Sequence, residues 1–417
     1  MTTIKNMKKI VIIMNGKFMP KTMDSHYIYG VVQHALQTAK ILSDNNQFGG
    51  FIFYERVEEI NDVRVTEKVI YNKYNSVKVS FNFNLSNEVI KHGFIDAVNI
   101  LKASFQKSEL FLYSQTITIA KYLPADYPIL ITNHGPFALN VQQAIGKELA
   151  EKAFNYEHVK FPFLLKSQKD NIFYVKNMAN VFFLEISLIQ VEYLKSLGIP
   201  KNKIFHINPP LEEYNSNTTD LHEPIELEQF LQNNEHPILF TVVSRLDDFK
   251  NVELLVSTAA RMIENNPSFK VIIIGGEVND KNRIKMKSSL KKSISGNFLF
   301  VSRVEHQVLI KKVIPLLSDK GIFICTSRFD LVPYTVLEFS RKSIVTFVPN
   351  SKYVGAGLYF PNDFKYEYTS QNLEKTINDY LKNGEKNNFY HTYKLIKEKT
   401  SNVSYQKRFS EILSLIR

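Results

Sequence analysis

The stretch Gly321–Pro349, GIFICTSRFDLVPYTVLEFSRKSIVTFVP, decides the fold expected for this chain. It opens with a short apolar run, Gly321 to Cys325, that lacks polar alternation and is typical of a strand covered on both faces. A polar loop follows, and Pro333 stands where a first helical turn would begin, since proline has no N–H to lose there. A second apolar run closes the stretch. It therefore predicts strand, loop, helix and strand, the repeating unit of a parallel sheet.

The loop and the helix start carry groups that suit an anionic ligand. The amides of Tyr334 and Thr335 fall in the first turn and would lack intrahelical acceptors. A helix start at the carboxyl edge of a parallel sheet is where such folds hold anions, phosphates above all. Two carboxylates, Asp330 and Glu338, flank this start with seven residues between them. We therefore expect a ligand site here.

The segment SRFDLVPYTVLE, which ends at Glu338, resembles the Glu-x7-Glu segment of retaining glycosyltransferases of the GT-B fold, specifically family 4. The resemblance implies that Asp330 holds hydroxyls of a donor sugar and that Glu338 holds the ribose. Asp330 is one methylene shorter than the usual glutamate, and Pro333 replaces the usual glycine. The shorter acid reaches about 1.5 Å less far, so either the loop closes in or the donor sugar differs.

A second segment, VVSRLDDFKN, ends a predicted strand and carries Arg245 and Lys250. Two cations at the carboxyl edge of a sheet can hold a diphosphate, arginine as a planar fork and lysine as a point charge. The segment is similar to the G-R-L-x-x-x-K-G of the same family, with Ser244 and Asn251 in place of the glycines. The resemblance implies that both cations neutralise the phosphates of the leaving nucleotide. Two solvated surface cations are the alternative.

The resemblance implies that two further turns contact the nucleotide-sugar donor. IIIGG, which contains Gly275, is similar to the family's I-V-G-x-G turn, where glycine permits a tight turn and close ligand approach. SRVEHQ, which contains Val304, takes the place where the family's backbone holds the nucleobase. No side chain is assigned to the base, and its identity stays open.

Two positions in the first half complete the expected site. His134, in ITNHGPF, lies where the family often has a histidine near the donor sugar and the acceptor, and a loop cap is an equal alternative. Gly16 lies where family members usually carry a Gly-Gly loop that approaches the phosphate. This chain has one glycine there, and Lys17 or Lys21 would have to compensate. The residues expected in catalysis are Arg245, Lys250, Asp330 and His134.

Strand-like and helix-like runs alternate in two series, as in doubly wound domains. The expected fold class is α/β, with two Rossmann-like domains that face a cleft (GT-B). We expect a first domain over residues 1–215, an acidic linker over 216–235 and a nucleotide-sugar domain over 236–399. The resemblance implies that the last helix, within 400–417, packs back onto the first domain. A short run, GLYFP, predicts one more strand after the opening stretch.

The amino-acid composition limits the kinds of protein and of binding partner that remain to be considered. The single cysteine, Cys325, excludes a disulfide framework and favours a cytoplasmic location, and no run approaches the roughly 18 apolar residues of a spanning helix. The net charge of +11 is spread over both halves and favours an anionic ligand or an anionic membrane surface, with a solvated lysine-rich surface as the alternative. Nucleic-acid binding is not expected, because no basic stripe with stacking aromatics stands out.

One segment, Lys160–Met178, interleaves lysines with aromatic and aliphatic residues. An interfacial membrane segment is one interpretation, which would place the protein peripherally on the inner face of a membrane. A core-facing helix whose lysines snorkel to solvent is the favoured one.

The function implied by the resemblance is retaining glycosyl transfer of the hexosyltransferase type, in the synthesis of cell-surface polysaccharide or glycoconjugates. The nucleotide-diphosphate sugar is a co-substrate, and the acceptor is a sugar, a lipid-linked molecule or a protein. No cofactor and no metal are expected, and no catalytic base is assigned because the leaving phosphate is thought to take the proton. The alternative is an inactive GT-B-like partner subunit, suggested by the departures at Gly16, Ser244, Asp330 and Pro333.

Overall fold

The computed structural model describes residues 8–18, 30–70, 74–105, 108–155, 161–211, 225–232, 236–383 and 386–416. Their contacts divide the chain into two compact units. The first unit comprises Met1–Leu139, Val159–Glu212 and Ser401–Arg417, and the second comprises Asn140–His158 and Glu213–Thr400. Lys21 and most of the expected linker lie outside the described residues.

The division differs from the expected one at two places. Residues 140–158 group with the second unit, because the ring of Phe154 contacts that of Phe249 with 6.2 Å between centroids. The helix Ile225–Leu231 was expected in the linker, yet it buries Leu227 completely and contacts the second sheet. Both segments belong to the second unit because their apolar side chains pack there, and the composition of a segment does not show where it will pack.

The first unit is built on an eight-stranded sheet in the order β3-β4-β2-β1-β5-β6-β7-β8. Every neighbouring pair is parallel except β3 and β4, which are antiparallel. The strands are β1 Lys8–Asn15, β2 Phe48–Arg56, β3 Arg64–Ile70, β4 Tyr74–Phe81, β5 Glu109–Ser114, β6 Ile129–Ile131, β7 Val181–Glu185 and β8 Ile204–His206.

The second unit contains a six-stranded, wholly parallel sheet in the order β11-β10-β9-β12-β13-β14. Counted along the chain this is 3-2-1-4-5-6, the order of the dinucleotide-binding Rossmann fold. The strands are β9 Ile238–Val242, β10 Lys270–Ile274, β11 Phe298–Val301, β12 Gly321–Ile324, β13 Val345–Pro349 and β14 Lys365–Tyr366.

Most of the helices lie between these strands in chain order, the last three follow β14, and short 3-10 turns join several elements. They are α1 Gly30–Asp44, α2 Asn87–Lys102, α3 Ala138–Ile145, α4 Lys147–Asn155, α5 Phe161–Lys176, α6 Leu188–Ser196, α7 Ile225–Leu231, α8 Val252–Asn265, α9 Lys281–Ser289, α10 His306–Val308, α11 Ile314–Leu317, α12 Tyr334–Ser340, α13 Ser370–Asn383, α14 Lys386–Lys399 and α15 Asn402–Leu415. No helix within the described residues is long and apolar enough to cross a bilayer.

The opening stretch folds as its pattern predicts. The strand β12 is buried along its whole length, and it pairs with β13 on one side and β9 on the other. The helix α12 begins at Tyr334, so Pro333 caps it rather than forming its first turn. Two predominantly parallel sheets with helical connections confirm the expected class of two Rossmann-like domains.

The structure corrects two strand predictions. The run GLYFP does not form a strand, because most of it lies in the 3-10 helix Gly355–Tyr359, which leaves Leu358 exposed. The strands β3 and β4 were missed. The alternation of Val77, Val79 and Phe81 with polar residues was a usable signal for β4, and all three side chains are buried.

The residue Gly275, at the end of β10, is required by close packing of two loops. Its φ is 141°, and a Cβ there would lie 1.9 Å from the carbonyl oxygen of Val243. The amide of Gly275 also donates to Val301 at 3.0 Å. Glycine is therefore demanded here by the neighbouring backbone, whether or not a ligand approaches.

We predict that Gly275→Ala lowers the free energy of unfolding by about 2 kcal/mol or more, because any side chain forces the loops after β9 and β10 apart. Chemical denaturation measures the effect. Gly296→Ala is the matched control, since a Cβ there meets nothing within 4 Å, and it should change stability by less than about 1 kcal/mol. Equal stability of the two variants would contradict the packing argument.

Candidate active site

The expected cations and the first expected acid lie at one point of the second sheet. Arg245 and Lys250 follow β9, and Asp330 follows β12, the strand that pairs with β9. The strand order reverses between β9 and β12. The crevice outside the carboxyl ends of the strands at such a reversal is where open α/β sheets bind ligands.

Three hydrogen bonds join the loop after β9 to the loop after β12. The Thr326 hydroxyl donates to the carbonyl oxygen of Lys250 at 2.6 Å, and the Arg328 amide donates to that of Phe249 at 2.8 Å. The Arg328 guanidinium donates to the side-chain oxygen of Asn251 at 2.9 Å. Asn251 adopts a left-handed backbone, with φ of 48°, a conformation that asparagine tolerates better than most residues. The two sequence segments thus form one structural piece.

The ion pair between Lys250 and Asp330 lies across this junction. The ammonium donates to Oδ2 of Asp330 at 2.6 Å, and the two side chains are 20% and 13% exposed. Burial lowers the pKa of Lys250, but the charge and hydrogen bond of Asp330 outweigh it, so the net pKa is raised. A lysine has three N–H donors, so two remain after this contact. The lysine is therefore held in the charged form that a phosphate requires.

Arg245 is oriented by its own carboxylate partner. Its Nε lies 3.1 Å from Oδ2 of Asp247, and its guanidinium carbon lies 5.9 Å from the ring centroid of Phe249. The other oxygen of Asp247 accepts from the Lys250 amide at 3.1 Å. The Asp247 carboxylate therefore contacts both the Arg245 guanidinium and the backbone amide of Lys250.

Glu338 is held by a histidine that the sequence did not single out. His306, at the start of α10, lies 2.8 Å from Oε1 of Glu338, and the two side chains are 16% and 6% exposed. The acid lies on α12, a helix of seven residues whose first turn contains Tyr334 and Thr335. The contact with His306 therefore fixes the orientation of the Glu338 carboxylate, whose contact with the ribose stays a prediction.

The loops after β10 and β11, which are expected to contact the donor, are connected by hydrogen bonds to each other and to the loop after β9. Arg303 donates through its amide to Gly276 at 3.1 Å and through its guanidinium to the Ser244 carbonyl at 2.9 Å. Val304 follows in the same loop, after β11. The guanidinium of Arg283 donates to the Ser302 hydroxyl at 3.1 Å. Loops after β9, β10, β11 and β12 therefore gather at one edge of the sheet.

In the first unit, His134 lies at the corresponding edge of its own sheet, just after β6. Its Nε2 is 2.8 Å from Oε1 of Gln115, and its ring centroid is 4.9 Å from that of His34. His34 is completely buried and lies 3.1 Å from the hydroxyl of Tyr113. Sequence reasoning missed His34, because its position on the buried face of α1 reads as an ordinary helix residue.

Both histidines are neutral near pH 7. Burial lowers the pKa of His134 to about 3. Burial and the neighbouring His134 lower the pKa of His34 well below its ordinary value. A neutral imidazole can donate and accept a hydrogen bond, which suits contact with a sugar hydroxyl better than contact with a phosphate.

Gly16 follows β1 and opens a 3-10 turn, Gly16–Phe18. Its would-be Cβ meets its nearest atoms at 3.5 Å, an ordinary contact. The amide of Lys17 donates to the Asn15 side chain at 2.9 Å. Glycine is therefore not required by the local packing, and close approach of this loop to a ligand stays a prediction.

Glu185, the last residue of β7, is a further titratable group that sequence reasoning missed. It is completely buried, and neither carboxyl oxygen has a hydrogen-bond partner among the described residues. Burial raises its pKa well above the ordinary value, and the Asn133 amide lowers it without reaching hydrogen-bond geometry. The side-chain amide of Gln190 donates to the Asn133 carbonyl at 2.7 Å. A carboxyl whose pKa is raised by burial therefore borders the loop that carries His134.

Within the described part of the chain, no group of three or more histidine, cysteine, aspartate or glutamate side chains is arranged to hold a metal ion.

The sequence of the second unit identifies the class. Residues 225–394 match the family described as Glycosyl transferases group 1. Together with two Rossmann-like sheets and the grouped loops, this match defines a glycosyltransferase of the GT-B fold. The expected class, GT-B glycosyltransferases resembling family 4, is confirmed. No curated protein matches this chain.

Solved structures share this fold over the whole chain. Sucrose-phosphate synthase from Thermosynechococcus elongatus has 12% identity and a TM-score of 0.67, with 98% of each chain covered. Anabaena HepE in complex with UDP and glucose has 14% identity and a TM-score of 0.61, covering 98% of this chain and 99% of its own. A trehalose-phosphate synthase (UDP-forming) from Burkholderia vietnamiensis has 10% identity and a TM-score of 0.63, with 98% and 99% covered.

We predict that Asp330→Ala lowers the free energy of unfolding by about 3 kcal/mol, because it leaves the largely buried Lys250 ammonium unpaired. The double variant Lys250→Met/Asp330→Leu should recover much of that stability, since it removes both charges and keeps the volume. Denaturant unfolding of both variants checks this. A double variant less stable than Asp330→Ala would contradict this expectation, because it would show that the attraction within the ion pair exceeds the free-energy cost of removing both charges from water.

We also predict that Glu185→Gln stabilises the protein more at high pH than at low pH. The folded pKa of Glu185 is raised, so wild-type stability is full below the unfolded value of about 4.3 and falls as pH rises toward the folded pKa. The gap in melting temperature between variant and wild type should therefore widen from about pH 5 to about pH 8. Glu67→Gln, on the exposed strand β3, is the control, and an equal gap at both pH values would refute the assignment.

Proposed function

We propose that this protein transfers a hexose from a nucleotide-diphosphate sugar to an acceptor, with retention of the anomeric configuration and without a metal ion. The observation that carries the proposal is the Lys250–Asp330 contact at the strand-order reversal, with Arg245 beside it. It brings together two cations for a diphosphate and a carboxylate for sugar hydroxyls. The proposed location is the cytoplasm, next to the inner face of a membrane.

In the proposed mechanism, Arg245 and Lys250 stabilise the negative charge that develops on the departing diphosphate. Charge stabilisation of this kind is commonly the largest catalytic contribution. The ion pairs with Asp247 and Asp330 hold both cations in place before the donor arrives, so little reorganisation is needed. The first-turn amides of Tyr334 and Thr335 would add dipoles directed at the same charge.

The sugar and the nucleoside would be held by the two acids. The described partners of Asp330 contact its Oδ2, so its Oδ1 can accept a hydroxyl of the donor sugar. Glu338, oriented by His306, would accept from the ribose. Gly275 and Val304 would line the base and phosphate side, and Gly16 would approach the phosphate.

His134 would serve the acceptor side, because a neutral imidazole can order a hydroxyl without attracting the diphosphate. The acceptor chemistry we favour is a sugar or a lipid-linked sugar, consistent with the sugar-phosphate synthases among the structural neighbours. The leaving phosphate itself would receive the acceptor proton.

A thermal-shift series with nucleoside diphosphates tests the donor site without the acceptor. HepE was solved with UDP, so UDP is the first ligand to use, with GDP and ADP beside it. We predict that one of them raises the melting temperature by a few degrees at saturating concentration. Arg245→Ala should abolish this shift and lower the rate of donor turnover about 100-fold. Lys285→Ala, an exposed cation paired with Glu253, should change neither.

Two results would contradict the proposal. The first is the absence of a shift with every diphosphate, and the second is a full shift in Arg245→Ala. Release of sugar from the donor without acceptor separates an enzyme from a binding subunit, because a subunit that has lost turnover would bind the diphosphate and release no sugar.

A further inference from the structure

The helix α5 exposes aromatic side chains that a water-soluble surface normally covers. Phe163 is 71% exposed, Phe173 is 73% exposed and Tyr174 is 44% exposed. The core side of the same helix buries Phe161, Asn171, Ile172 and Val175. The favoured expectation for this segment was a core-facing helix with lysines that snorkel. The helix does face the core on one side, but Phe163 and Phe173, near its two ends, are exposed to solvent.

The exposed residues share one helical face. Phe163, Lys166, Asp170 and Phe173 follow each other at spacings of three and four, so they form a stripe on one side of the helix. Lys169 and Tyr174 lie beside this stripe, and both are exposed. The two phenylalanines stand about 15 Å apart along the axis. The face therefore presents a ring at each end, with Lys166, Lys169 and Asp170 between the rings.

The charge of this face selects among possible occupants. Lys166 and Lys169 outnumber Asp170, the one carboxylate of this face, so a second copy of the chain on a two-fold axis would bring an excess of positive charge against itself. Lysine is also depleted in the cores of protein interfaces. An anionic lipid surface accepts both features, because its headgroups attract lysines while phenylalanine and tyrosine enter the boundary with the acyl chains. The net charge of +11 acts in the same direction.

We propose that the face of α5 formed by Phe163, Lys166, Lys169, Phe173 and Tyr174 docks the protein on an anionic membrane surface. It belongs to the first unit, the unit that carries His134. Docking there would suit an acceptor that is itself lipid-linked. That consequence rests on the proposed function, whereas the docking does not, because vesicle binding requires neither donor nor turnover.

The absence of tryptophan from the chain allows a direct test with the full-length protein. Phe173→Trp introduces a single indole at the proposed contact. Mixing this variant with vesicles of equal parts phosphatidylcholine and phosphatidylglycerol should shift its emission to shorter wavelength, and vesicles of phosphatidylcholine alone should shift it little. Added salt should weaken the response, because it screens the lysines. Tyr390→Trp, an exposed aromatic position on α14 of the second unit, should show no shift.

Cosedimentation of otherwise wild-type protein gives the energetic test. Phe163→Ser/Phe173→Ser should weaken binding to the anionic vesicles at least about tenfold, and Lys166→Glu/Lys169→Glu should weaken it similarly. All four positions are exposed, so the melting temperature should not change. Failure of wild-type protein to sediment with anionic vesicles would overturn the proposal. So would undiminished binding by the double serine variant, or a wild-type dimer that this variant dissociates.

Discussion

The ion pair between Lys250 and Asp330 is the constraint on which the second unit's site depends. Removing two charges from water is costly, and their attraction offsets this only with good geometry. Here the geometry is prepared by three other hydrogen bonds between the same two loops. The pair therefore does not assemble the site alone. It lies across a junction that the other three hydrogen bonds also hold closed, and it keeps a lysine charged where a diphosphate is expected.

A hydrophobic pair of similar volume would fill the same space at less cost in desolvation. Asp247 holds the other cation in a similar way, because its carboxylate contacts the Arg245 guanidinium and also accepts a hydrogen bond from the Lys250 amide. His306 does the same for Glu338. Each charged group of the candidate site thus has a partner that sets its direction before any ligand binds. Such preorganisation lowers the reorganisation needed when charge develops in a reaction.

The titratable groups at the carboxyl edge of the first sheet differ from those of the second sheet, because burial favours their neutral forms. His34, His134 and Glu185 are all driven toward their neutral forms by burial. Neutral groups of this kind can exchange hydrogen bonds with hydroxyls. The charged edge of the second unit suits the nucleotide part of a donor. The two carboxyl edges therefore differ in charge, because burial favours the neutral forms in the first unit, whereas the cations of the second unit have carboxylate partners.

The sequence by itself determined the strand–loop–helix–strand units and the cations and acids at their ends, because periodicity and end-of-strand position are local properties of the chain. It also pointed to Lys160–Met178 as an unusual mixture of lysines and rings. Only the tertiary structure decided which groups touch. The Lys250–Asp330 contact joins residues 80 positions apart, and the burial of His34 and Glu185 depends on neighbours from other strands and helices. Contact and desolvation are properties of the packed molecule, so no local pattern contains them.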